Sequence, residues 1–133
     1  MKNLIFSLLV LSVSFAACKK DPTFDDKLVG KWVSTNLKIK GVDVTSTNTV
    51  TLNIQSSHEF DADVTTKVVI GDPIVSSYTG VWTADEVKEE IVLKYDNNSE
   101  EKYDITSLTE TTMKATVVVD SERREFVFEK NVQ

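Results

Sequence analysis

A chain of 133 residues, 27% charged and 8% aromatic, has room for one folded domain with a modest core. Its formal charge of −6, without a basic stripe, argues against nucleic acid as a partner and against electrostatic docking on anionic lipid. One cysteine and one histidine exclude an internal disulfide and leave a zinc site short of ligands.

The first 17 residues differ from the rest. Met1-Lys2-Asn3 gives a short positive start, Leu4 to Phe15 is apolar apart from three serines, and Ala16-Ala17 precedes Cys18. Charged start, apolar run and small-residue site are the layout of a secretory signal. The run is too short to cross a bilayer as a helix, which takes about 20 apolar residues. Phe15-Ala16-Ala17-Cys18 resembles a bacterial lipobox, with Phe15 where leucine is commonest. The resemblance implies that Cys18 takes a diacylglycerol thioether and, after cleavage, acyl chains such as palmitate. More than one chain is what stable anchoring requires. Residues 1–17 are therefore expected to be a lipoprotein signal peptide, and 18–23 the lipidated cysteine with a short tether. Lys-Lys-Asp after the cysteine resembles the surface-export signal of some outer-membrane lipoproteins, so either face of the outer membrane stays open. Without Lys2 among the fifteen bases, and with all 21 acids kept, the mature part carries −7.

From residue 24 the reading is one domain to residue 133. Thr23 is placed to cap a helical turn over Phe24-Asp25-Asp26-Lys27-Leu28, with acids at its positive end. After Gly30 the chain alternates with period two in eight segments. Val33, Thr35, Leu37 and Ile39 share a parity, as do Val50, Leu52 and Ile54. Phe60, Ala62, Val64, Val68 and Ile70 form a third set, and Ile74, Tyr78 and Trp82 a fourth. Ile91, Leu93 and Tyr95 follow, then Tyr103 and Ile105, then Met113, Ala115, Val117 and Val119, and last Phe126 and Phe128. The turns between are short, and short turns force sequential antiparallel pairing. The fold expected is all-β: an eight-stranded antiparallel up-and-down barrel that hides one parity inside and removes both edges, in preference to an open sandwich, which usually has longer Greek-key connections.

Leu28-Val29-Gly30-Lys31-Trp32 resembles the Gly-x-Trp start of a lipocalin. Gly80-Val81-Trp82 and Tyr103 to Met113 are similar to the second half of small lipocalin-like bacterial lipoproteins. The resemblance spans about residues 24 to 130. It implies a lipocalin-like barrel with Gly30 and Trp32 at its closed end. The chain lacks the Thr-Asp-Tyr signature and the disulfide of larger lipocalins, and their tryptophan-stacking arginine has no clear counterpart. Arg123 and Arg124 read as an exposed pair.

Catalytic chemistry finds little support. His58 and Glu59 are adjacent, so on a strand they point to opposite faces, and His58 is expected in an exposed turn. Glu59, Asp61 and Asp63 read as a solvated outer stripe. Asp96 to Glu100 lacks the central glycine of a calcium loop. No cofactor, metal site or enzymatic activity is expected. The inward parity carries aromatics, of which Phe60, Tyr78, Trp82, Tyr103 and Phe128 are the candidate ligand-lining residues. Thr35, Thr66, Ser76 and Gly80 are the small or polar inward positions that would leave space. The expected function is an outer-membrane lipocalin-like lipoprotein that binds a small apolar ligand. The alternative is a filled barrel whose loops, 41–48 or 71–74, contact an envelope protein or glycan.

Overall fold

The computed structural model describes residues 21–131. The expected signal peptide, 1–17, and the expected lipidation site, Cys18, lie outside the described residues. One helical turn, α1 (Phe24–Leu28), leads into nine strands. These are β1 (Gly30–Ile39), β2 (Val42–Asp43), β3 (Asn48–Ile54), β4 (Glu59–Thr66), β5 (Ile74–Asp85), β6 (Glu90–Tyr95), β7 (Glu100–Leu108), β8 (Thr112–Val119) and β9 (Glu122–Lys130).

Five residues are too few to hold a helix on propensity alone. α1 stands on a capping box instead: the Asp26 amide donates to Thr23 Oγ1 at 3.2 Å and the Thr23 amide donates to Asp26 Oδ2 at 3.0 Å. Leu28, at its end, is fully buried.

Every stave pairs antiparallel with its chain neighbour, and β9 returns to β1 from Trp32↔Lys130 to Ile39↔Arg124. The result is a closed eight-stranded antiparallel barrel with a short N-terminal helical turn. The ninth strand, β2, is a two-residue stub folded back on the end of β1. Its turn, Lys40-Gly41, has φ of 52° and 79°, the positive values a tight two-residue hairpin demands. Residues 24–130 contain all eight staves and the helical turn packed against them.

Bulges interrupt the alternation at two places, and the first of them corrects the expected parity of β1. Between Ser34 and Asn36 the register of β1 against β9 shifts by one residue. An extra residue in one strand reverses which face the side chains take. Trp32 and Ser34 therefore point in before the bulge, and Leu37 and Ile39 after it, while Val33 is half-buried and Thr35 is exposed. Buried Ser34 is satisfied, its Oγ accepting from the Val50 amide at 2.8 Å. A second shift, between Ile105 and Ser107, sets aside Thr106 in β7.

A second correction is at the β4–β5 hairpin. β4 stops at Thr66, so Val68 and Ile70 are in an exposed connection with Val69, and not inside the barrel. β5 overhangs its next neighbour: Gly80↔Tyr95 is the last pair with β6, Thr79 still bonds Asp96, and residues 74–78 continue beside β4. Ile74 is exposed for that reason.

Candidate functional site

The barrel has one blocked end and one open end. At the blocked end the turns after β3, β5 and β7 gather with α1 and the end of β9. Trp32 is wholly buried there, its indole N–H donating to the Leu28 carbonyl at 2.8 Å. The Lys130 ammonium lies 4.8 Å from the Trp32 ring centre and donates to the carbonyls of Lys27 and Val29, each at 2.9 Å. Gly30, with φ +142°, makes room for this arrangement: a Cβ there would sit 3.0 Å from Lys130 Cε. Burial pulls the Lys130 ammonium below the usual lysine range. Lys130 thus takes the place over the tryptophan that the Arg123–Arg124 pair does not reach.

Trp82 and Phe60 are buried at this same end and do not line the cavity above. The Trp82 indole donates to the Gln55 carbonyl at 2.9 Å, and exposed His58 packs 4.6 Å from its ring. Phe60 lies against Gly80, where a Cβ would run into both the Phe60 ring and the Lys94 carbonyl. Gly80 is small so that strands can close, and it opens no ligand space. Thr66 and Ser76 are half-buried at the overhanging hairpin and Thr35 is exposed, so none of the four small or polar positions borders the cavity.

Above this floor lies a cavity of about 410 Å³. Leu37, Val50, Leu52, Ala62 and Val64 supply an aliphatic side. Next to Leu37, its cross-strand partner Phe126 stacks on Phe128 with centres 5.1 Å apart, and Tyr103 packs at 5.9 Å from Phe126. Tyr95 meets Phe60 and Tyr78 edge-on, at 5.3 and 5.8 Å. Of the five candidate ligand-lining residues, Tyr78, Tyr103 and Phe128 border this space.

Polar groups gather toward the mouth: Asn48, Asn97, Ser99, Glu101 and Arg124. The Tyr103 hydroxyl donates to Glu101 Oε2 at 3.4 Å, a long contact. Burial, then the negative charge of Glu101, push the Tyr103 phenol well above its ordinary range. Burial, with the neighbouring Tyr103 and Glu101, does the same to Tyr95. Both stay neutral donors at any working pH. Arg124 is half-buried rather than exposed, and its Nε is shut from solvent without an acceptor. An unmet buried donor of this kind costs ~1–3 kcal/mol. A reading of the Arg pair as surface residues missed Arg124. The signal for it was available, because Arg124 shares the parity of Phe126 and Phe128.

The acidic stripe faces outward: Asp61 accepts from Asn53 Nδ2 at 3.0 Å and Asp63 from Ser77 at 2.6 Å. Among the described residues no group of three or more His, Cys, Asp or Glu side chains is placed to hold a metal ion. No described helix is long and apolar enough to cross a membrane.

A closed antiparallel barrel with one end plugged and an apolar, partly polar-rimmed hollow at the other is the architecture of a small-molecule binding barrel. The chain belongs to the lipocalin-like domain family, whose pattern matches residues 28–115. No curated protein matches the chain. The family match runs from the end of α1 into β8, so β9, with Arg124, Phe126, Phe128 and Lys130, lies beyond it. Family and site together are those of a barrel suited to binding a small molecule.

Proposed function

We propose that this protein is a lipid-anchored outer-membrane lipoprotein whose barrel holds a small, largely apolar molecule without covalent chemistry. The observation that carries the reading is the cavity: its ~410 Å³ falls within the ~300–1,000 Å³ of ligand sites. Apolar burial supplies the affinity, and the polar groups near the mouth fix orientation. Tyr78, Tyr103 and Phe128 are the contacts proposed from the aromatic set, with Phe126 added.

The anchor belongs to the same proposal. Residues 1–17 serve as the signal peptide and Cys18 as the acylated first residue. Asp21, the first described residue, precedes α1 at the plugged end. Three residues span at most ~11 Å, so a lipid on Cys18 holds the plugged end close to the membrane. The mouth then faces away from it, toward whatever supplies or receives the ligand.

Native mass spectrometry of the Lys19–Gln133 fragment, purified from its own envelope extract, tests the carrier reading. A retained small molecule, released on unfolding, supports it. An empty barrel that also fails to take up neutral apolar probes sinks it. Metabolic labelling with an alkynyl palmitate tests the anchor: label on the wild type and none on Cys18→Ser is the expected result.

One observation favours a second use of the mouth. Val69 and Ile70, in the connection from β4 to β5, are almost wholly exposed. Single exposed apolar residues are ordinary, but a contiguous group suits contact with another envelope component.

A further inference from the structure

The cavity wall contains one group that its own packing leaves unexplained. Arg124 borders the cavity, yet its buried Nε–H meets no acceptor. The guanidinium does have a carboxylate neighbour, Glu122, but that contact is 3.8 Å from Nη2 and uses a different nitrogen. Arginine keeps its proton at any working pH, so the group stays a donor. Turned toward the hollow, that N–H would be satisfied by an oxygen arriving there.

The remaining wall residues say what kind of oxygen fits. Glu101 borders the same cavity, so the one positive and one negative charge of the wall cancel. The tyrosines there, Tyr78, Tyr95 and Tyr103, add hydroxyls but no charge. A ligand carboxylate would place a second negative charge beside Glu101 inside a partly enclosed, low-dielectric space. Glu101 acts on its immediate neighbours: its charge helps keep both Tyr95 and Tyr103 protonated, and at Tyr103 it outweighs the opposing effect of Arg124. An uncharged acceptor satisfies the arginine N–H without that repulsion.

We infer that the cavity selects apolar molecules carrying a neutral acceptor oxygen, a ketone, ester or amide carbonyl seated against Arg124, over the corresponding free acids. This rests on the reading of the barrel as a carrier. Arg124 lies outside the segment that matches the family.

Three probes of similar bulk test it by calorimetric titration at pH 7.5 into the Lys19–Gln133 barrel: butylbenzene, butyrophenone and 4-phenylbutanoate. Butyrophenone is expected to bind at least fivefold tighter than either of the others. Arg124→Met should bring butyrophenone down to the level of butylbenzene and leave butylbenzene unchanged, which also shows that the variant is folded. Glu101→Gln should raise the affinity for 4-phenylbutanoate several-fold. If butylbenzene and butyrophenone bind equally to the wild type, or if 4-phenylbutanoate binds tightest, the inference is wrong while the carrier reading survives. If none of the three binds, both fall together.

Discussion

The two ends of this barrel grow from one alternating pattern and finish differently. At the plugged end, Trp32 and Trp82 are at most 1% exposed, and each indole N–H has a backbone carbonyl as partner. At the mouth, Tyr78 is 44% exposed and a buried arginine N–H has none. The cause is what the chain does beyond the strands. Below, α1 and the end of β9 pack across the opening and bring Leu28 and Lys130 onto Trp32. Above, β6 and β8 are followed by short turns, β1 by a two-residue turn into the β2 stub, and Val69 and Ile70 in the β4–β5 connection are exposed instead of packing into the opening. An eight-stranded barrel is just wide enough to be filled by side chains or to hold one small ligand. Here the lower half is filled and the upper half is hollow, so stability concentrates at one end and capacity at the other.

That division has a direct test. Trp32→Ala should destabilise the fold by ~3–5 kcal/mol in denaturant unfolding, because a large void opens in packed surroundings. Phe126→Ala removes a ring that already borders open space, so its cost should be about half as large, with most of its effect on ligand affinity. Equal losses of stability would show that the hollow half is as structurally committed as the plugged half. Gly80→Ala addresses the boundary between them. Its methyl would meet the Lys94 carbonyl and the Phe60 ring, and forcing strands and ring apart should cost ~1–3 kcal/mol. Thermal unfolding compared with Ala62→Gly, which removes bulk from the cavity wall, gives the contrast.

Much of this contrast can be read from residue order, and part cannot. The eight staves follow from alternation and short turns, and α1 from Thr23 and Asp26 at capping spacing. What alternation cannot supply is a count of bulges. One extra residue at Thr35 brings Ser34 to the inside, and nothing in Ser34-Thr35-Asn36 marks which residue is set aside. Strand overhang is equally hidden: Ile74 and Tyr78 have inward parity, but parity says nothing of whether a neighbouring stave extends far enough to cover them. Depth is hidden too. Phe60, Trp82 and Phe128 share an inward face with Tyr78 and Tyr103, yet position along the barrel axis decides which are floor and which are wall. Lys130 escaped notice because a search for an arginine over Trp32 passes over a lysine two residues beyond Phe128.

Lys130 offers the next, smaller test. Its ammonium ties the end of β9 to two carbonyls at the end of α1 and lies over the Trp32 ring. Lys130→Met keeps the stem and removes the charge, leaving those carbonyls without their donor. The expected loss is ~1–2 kcal/mol, with faster hydrogen exchange at the Lys27 and Val29 amides of α1. Ligand affinity should not change, because the cavity lies at the other end. A change in affinity of more than about threefold would mean that the two ends are coupled.

The smallest effect expected distinguishes the ends by acid. Asp26 at the plugged end and Asp43 near the mouth are both solvent-exposed carboxylates that accept local hydrogen bonds. The Thr23 amide and hydroxyl hold Asp26 below the usual carboxylate range, and the Thr45 hydroxyl and amide do the same for Asp43. For a depressed carboxylate the unfolded chain takes up its proton first, near pH ~3.9. The stabilisation is therefore complete above that value and is lost as pH falls through the lower folded value. Both groups obey this sign, but what each holds in place differs. Asp26 caps the helix that carries fully buried Leu28, whereas Asp43 orders a loop whose Val44 is only half-buried. Asp26→Asn should therefore flatten the acid limb of the thermal midpoint below about pH 4. Asp43→Asn should leave that limb in place and alter only the pH dependence of the Thr45 amide resonance. If Asp43→Asn flattens the global limb as much as Asp26→Asn, the mouth loop is part of the cooperative unit, and stability is not confined to the plugged end.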